Sequence, residues 1–186
     1  RSVKESTITE LLQNSTDAII ESKVENNRID VNIKYELVEN KKSFVIEIKD
    51  QVGIKFENLI YLFIPYYSGK SAMKNMTGEM GNGFFNSYRE SRKVEIETID
   101  ENGNKFTIID QPLDENDNYI TIPGTLVKDI EKNIKYEKTN ENRGTTIRIF
   151  YVSTTEEDFI LDYTSFYSYV FKNYSDMQDN IKLFIN

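Results

Sequence analysis

Glu10-Leu-Leu-Gln-Asn14-Ser-Thr-Asp17-Ala18 carries two overlaid patterns. At about 100° per residue, Glu10, Asn14, Asp17 and Glu21 fall in a narrow stripe roughly opposite Leu12 and Ile19. Ile8, Leu11, Leu12, Ala18 and Ile19 repeat at helical spacing, which predicts a helix from about Thr7 to Lys23. The stripe itself has two readings. In one it is the solvated face of an amphipathic helix, with Thr7-Ile-Thr-Glu10 as a capping box whose carboxylate satisfies a backbone N–H. In the other it is chemical. Asn14 supplies a neutral oxygen to magnesium, an ion that takes few protein ligands and fills its shell from phosphate and water. Glu10, one turn earlier, then orients and deprotonates a water.

Two further segments sharpen the second reading. Phe44-Val-Ile-Glu-Ile-Lys-Asp50-Gln-Val-Gly53 places an acid at the end of an apolar strand, just before a glycine. Asp and Gly are ordinary at a strand exit. A carboxylate fixed there also accepts a hydrogen bond from an exocyclic amine, which selects adenine over guanine in an otherwise apolar pocket. Gly78-Glu-Met-Gly81-Asn82-Gly83 precedes an expected helix at Phe84. Residues without Cβ let the backbone approach a ligand, and a helix N-terminus offers unpaired N–H groups to phosphate. By contrast, Ser68-Gly-Lys70-Ser71 only imitates the end of a P-loop, because the position that must be glycine is Ile64. Arg143-Gly144-Thr145-Thr146 reads as a glycine turn into a late strand.

Composition bounds the alternatives. The chain has 186 residues, 38% hydrophobic and 29% charged, enough for one globular domain with a core of its own. It opens at Arg1 and is read as a single domain, residues 1–186, cut from a longer protein. It has no cysteine and no histidine, which removes thiolate and histidine chemistry from this segment and is compatible with a cytoplasmic location. A net charge of −8 gives no support to nucleic-acid binding, and it repels a triphosphate at long range. Such a ligand has to be held by local donors and a metal. No apolar run approaches the roughly 18 residues of a membrane span.

Beyond the first helix, alternation predicts strands over Ile29–Leu37 and Ser43–Lys49, joined at Glu39–Lys42. Leu59 to Tyr67 is apolar and runs into a polar stretch from Ser68 to Met80. A short helix is expected over Phe84–Ser91, and strands over Lys93–Ile99 and Lys105–Asp110 around a turn at Asp100–Asn104. Pro112–Asn118 reads as a loop, Tyr119–Ile122 as a short strand, and Gly124–Arg143 resists assignment. A strand at Thr145–Val152, an aromatic-rich helix at Thr155–Tyr174 and a strand at Ile181–Ile185 close the chain. Hairpins without strict βαβ alternation favour an α+β two-layer sandwich.

The order of these motifs resembles the GHKL ATPases: gyrase, heat-shock protein 90, histidine kinases and MutL, with the related MORC proteins. Glu10-x-x-x-Asn14-x-x-Asp17-Ala18 is similar to the family's N-box, and Asp50 with Gly53 to its first glycine box. Gly78-x-x-Gly81-x-Gly83-Phe84 resembles the second box, and Gly144-Thr145 the late Gly-Thr strand. Within the family, heat-shock protein 90 and MORC proteins look nearest, through Gly81-Asn82-Gly83-Phe84 and the closing helix and strand.

The resemblance implies a Bergerat-type sandwich, a mixed, mainly antiparallel sheet with helices on one face, that binds ATP with Mg2+. It implies Glu10 as general base, Asn14 as metal ligand, Asp50 on the adenine amine with Thr145 supporting it through water, and Gly53 lining the base pocket. Asp17 and Ala18 belong to the nucleotide-binding N-box, while Gly81, Gly83 and Phe84 hold phosphates, with Gly78 and Asn82 nucleotide-binding in the same glycine box. Ser68–Met80 becomes a mobile lid that closes over ATP, and the nucleotide state, ATP or ADP, controls formation of a homodimer by the full-length protein. Two departures stand out: Val52 sits near the place of the first box's leading glycine, and Tyr67 replaces a lysine before the Ser-Gly pair, with Lys70 nearby. A reshaped adenine pocket follows. A slow ATPase in a chaperone-like or MORC-like protein, a nucleotide sensor without turnover, a protein-interaction module and a topoisomerase or mismatch-repair ATPase all remain open.

Overall fold

A computed structural model describes residues 3–23, 25, 27–38, 41–61, 91–111, 116, 133–153, 155–174 and 182–186. Helix α1 (Val3–Ser22) is followed by the hairpin β1 (Arg28–Val38) and β2 (Lys41–Asp50) and by the short α2 (Phe56–Tyr61). Strands β3 (Lys93–Ile99), β4 (Asn104–Asp110), β5 (Ile134–Lys138) and β6 (Gly144–Ser153) come next, then helix α3 (Glu156–Tyr174) and β7 (Lys182–Ile185). The strands form one sheet in the order β5-β4-β3-β6-β2-β1-β7. Every pairing is antiparallel except β1 with β7.

Alternation along the central strands sorts the side chains into two faces. Ile46, Ile149 and Val94 stand side by side across β2, β6 and β3, and so do Ile48, Ile147 and Ile96. These rows join Ile8, Leu11, Leu12 and Ile19 of α1, Leu59 of α2, and Phe166 and Val170 of α3 in one buried cluster. The three helices among the described residues therefore cover the same face, and the expected two-layer α+β sandwich is the observed architecture. The opposite face carries charge. Arg148 of β6 is paired to Glu36 at 2.6 Å, to Glu47 at 3.1 Å and to Glu95 at 3.1 Å.

Helix α1 begins four residues earlier than the periodicity suggested, and the reason is tertiary. Thr7 is interior to the helix and fully buried, its hydroxyl bonded to that of Tyr151 on β6. Thr9 Oγ1 donates back to the Glu5 carbonyl at 2.8 Å and accepts from Tyr169 and Tyr174 of α3, each at 2.9 Å. Thr7-Ile-Thr-Glu10 therefore caps nothing, and the capping reading of Glu10 falls. Helix α3 does have a cap: Thr155 Oγ1 accepts the Asp158 N–H at 3.1 Å, ahead of three acids in the first turn. Phe159 then stacks on Tyr35 of β1 with ring centroids 4.7 Å apart, seating α3 on the β1–β2 hairpin.

Most strand boundaries match the expected ones to within two residues. Strand β5 lay inside the unassigned stretch. Its Ile-Lys-Tyr-Glu-Lys sequence is exposed at four of five positions, as suits a charged edge strand, and it hides the period-2 signal. The expected strand at Tyr119–Ile122 and the helix at Phe84–Ser91 lie outside the described residues, save Ser91.

Candidate nucleotide site

The aliphatic rows of the sheet end in a polar one. Asp50, the last residue of β2, is the direct partner of Thr145 on β6, and Thr145 is the direct partner of Thr98 on β3. Register puts all three on the helix-covered face, one step beyond Ile48, Ile147 and Ile96. Two residues nearly one hundred positions apart, both expected in the site from sequence, thus become neighbours. Gly144 makes this approach possible, because a Cβ there would lie 2.7 Å from the Asp50 carbonyl oxygen.

Asp50 is held from two sides. Its Oδ2 accepts the Ser15 hydroxyl of α1 at 2.7 Å, and its Oδ1 accepts the Val52 N–H at 2.9 Å. Burial pushes its pKa up to about 6, against the lowering effect of those two hydrogen bonds and of the Arg143 charge. The loop after it is anchored in turn. Thr145 Oγ1 donates to the Val52 carbonyl, and the Ile54 N–H donates to Thr98 Oγ1 at 2.7 Å. Val52, in place of a small residue, turns its side chain into the main core and leaves its backbone to these bonds. Gly53 lies against the end of β3, where a Cβ would sit 2.7 Å from the Asp100 Cα. The glycine is required at least by that contact.

Helix α1 meets the same end of the sheet at Ser15. Ser15 touches Asp50, so Asn14 directly precedes the contact residue, and Glu10 stands one turn back, about 6 Å along the axis. Asp17 is only 3% exposed, and Glu10, Asn14 and Ala18 are half-buried, while Glu21 is exposed. A purely solvated face is therefore not what this stripe forms. Gly78, Gly81, Asn82, Gly83 and Phe84, with the Ser68–Met80 segment, lie outside the described residues.

Two residues of this site were not singled out from sequence. Ser15 had a signal: it falls among Ile8, Leu11, Leu12 and Ile19 on the apolar side, where a hydroxyl must find a buried partner. Thr98 had almost none, since threonine is common in strands and its importance comes from register alone.

This geometry now meets the comparisons. A family profile described as "Histidine kinase-, DNA gyrase B-, and HSP90-like ATPase" matches residues 1–145. The chain belongs to this ATPase family. Among solved structures, the ATPase region of Saccharomyces cerevisiae topoisomerase II superposes with a TM-score of 0.67 at 19% identity, covering 98% of this chain and 47% of that one. The same region bound to ICRF-187 (dexrazoxane) gives 0.65 at 20% identity, with the same coverage. The ATPase and transducer domains of DNA topoisomerase II from Balamuthia mandrillaris give 0.68 at 15% identity, covering 98% of this chain and 46% of that one. This ATPase-family chain thus spans about half the length of those structures and shares their fold. All three are topoisomerase II regions, so they lend no weight to the nearer likeness to heat-shock protein 90 and MORC proteins. No curated protein matches the chain.

Membership in the family implies magnesium, and the donors can be tested against it. Among the described residues no three Asp, Glu, His or Cys side chains gather into a metal cage. Magnesium takes few protein ligands, for which one amide oxygen can suffice beside phosphates and water. Asn14, beside the Ser15–Asp50 contact, is the residue that would supply the amide. No helix among the described residues is long and apolar enough to cross a membrane.

Proposed function

We propose that this domain binds ATP with Mg2+ and hydrolyses it slowly, and that nucleotide occupancy drives lid closure and dimerisation of a larger protein. The observation that carries the reading is the Asp50 carboxylate, fixed by Ser15 and Val52 at the polar end of the sheet. Adenine is read there through its exocyclic amine, which donates to Asp50. Asn14 holds the metal, which neutralises phosphate charge when bound. Glu10 orients a water and takes its proton as that water attacks the terminal phosphate. Gly81, Gly83 and Phe84 cradle the phosphates, with Gly78 and Asn82 in the same box, and Ser68–Met80 closes over them. Asp17 and Ala18 complete the wall that α1 presents to the nucleotide, and Gly53 passes beneath the base.

A topoisomerase-like parent protein is the second reading, favoured by the three fold neighbours named above. The net charge of −8 leaves any DNA contact to other parts of such a protein. Turnover separates the catalytic assignments from mere binding. Glu10→Ala should keep ATP affinity within about twofold while hydrolysis falls at least 100-fold, as expected for loss of a general base. Asn14→Ala should bind ATP as the parent does in EDTA yet gain nothing from added Mg2+. Undiminished hydrolysis by Glu10→Ala would remove it from the mechanism.

A further inference from the structure

The hydrogen bonds at the end of the sheet fix where each hydroxyl proton lies. The Ile54 N–H donates to Thr98 Oγ1 at 2.7 Å, the Thr98 and Thr145 hydroxyl oxygens are 2.8 Å apart, and Thr145 Oγ1 donates to the Val52 carbonyl. A threonine hydroxyl has one proton to give. The proton of Thr145 goes to Val52, so Thr98 donates to Thr145 and accepts from Ile54. The result is a one-way relay, Ile54 N–H to Thr98 to Thr145 to Val52 carbonyl, through two side chains exposed by only 0% and 5%. It pins both ends of the loop that follows Asp50 onto β3 and β6.

We propose that Thr98, on a strand outside every motif singled out in the sequence, is a positioning residue for base recognition. The relay fixes the two peptides that flank Gly53, through the Val52 carbonyl and the Ile54 N–H, and so holds Val52, whose own N–H is one of the two donors that aim the Asp50 carboxylate. Removing the Thr98 hydroxyl strips the half-buried Ile54 N–H of its acceptor and leaves Thr145 without its donor. The loop then shifts, and Asp50 keeps only Ser15 as a fixed partner. A second consequence concerns Thr145: its proton is committed inside the protein, so it meets water or ligand only as an acceptor. This inference rests on the assignment of Asp50 to the adenine amine.

The test compares Thr98→Val, which deletes the hydroxyl at nearly constant volume, with Thr98→Ser, which keeps it. ATP and purine riboside triphosphate, which lacks the 6-amino group, are titrated into each protein with Mg2+, and thermal midpoints are recorded alongside. Thr98→Val should weaken ATP about tenfold, roughly the worth of one hydrogen bond, with little change for the amine-free nucleotide. Thr98→Ser should restore the parent's preference. Equal loss for both nucleotides, or equal loss in both variants, would overturn the positioning role. If Thr98→Val does not fold, hydrogen exchange at the Ile54 amide of the parent decides: ATP should slow it tenfold or more, and unchanged exchange overturns the proposal. A parent chain with no preference between the two nucleotides would instead remove the Asp50 assignment, a separate failure.

Discussion

A carboxylate at the end of an otherwise apolar face costs stability whenever it is ionised, and Asp50 is such a group. Its pKa is raised from 3.8 to about 6 by burial, so the folded state holds its proton more tightly than the unfolded chain does. The contribution to stability is thus full below about pH 4 and is lost as pH rises through about 6. Asp50→Asn can keep both contacts, with the amide oxygen accepting from Val52 and the amide nitrogen donating to Ser15. At pH 7 this variant should melt higher than the parent, by roughly 1–3 kcal/mol in stability, and the gain should vanish by pH 4. The same substitution should weaken ATP by about 1.5–3 kcal/mol, the worth of a charge-assisted hydrogen bond. Thermal scans at the two pH values and calorimetry with ATP check the two halves. A lower midpoint at pH 7 would mean that the ionised carboxylate stabilises the fold.

At the scale of elements, the loop from Gln51 to Lys55 is tied to β3 and β6, and Gly53 is where it passes closest to another backbone. Gly53→Ala places a Cβ against Ile99 and Asp100, both main-chain contacts that cannot swing aside. The expected cost is roughly 1–3 kcal/mol in denaturant unfolding, the usual range for overpacking. What the sequence could show of these elements followed from local pattern. Helix α1, the β1–β2 and β3–β4 hairpins, and α3 were legible because apolar residues recur at periods of 3.6 or 2. The early start of α1 was not, because Thr7 is held by Tyr151, far along the chain. Strand β5 was hidden by its edge position. Asp50, Gly53 and Thr145 could be picked out by residue type, whereas Ser15 and Thr98 acquire their roles only from register and packing.

Across the whole molecule, the face of the sheet away from the helices is held by charge centred on Arg148. Burial alone would raise the Glu47 pKa, but the Asn32 amide and the charges of Lys49, Lys34 and Arg148 hold it below its ordinary 4.5. Its stabilising contribution is therefore present above pH 4.5 and lost as pH falls through the lowered folded value, opposite in sign to Asp50. Arg148→Met leaves Glu36, Glu47 and Glu95 with only lysines as charge partners among the described residues and should cost about 2 kcal/mol at pH 7, between the values for exposed and buried pairs. Urea unfolding should show the gap narrowing toward pH 3. A constant gap would mean that packing of the arginine stem, not charge, sets its value.

The central claim is that a carboxylate at one end of this sheet reads the amine of adenine. The direct measurement is a calorimetric cycle: ATP and purine riboside triphosphate, each against the parent and Asp50→Asn, with Mg2+ at pH 7.5. The account expects the parent to favour ATP by about 10- to 100-fold and Asp50→Asn to lose most of that preference. A parent that binds both nucleotides equally, or a variant that keeps the full preference, would contradict it.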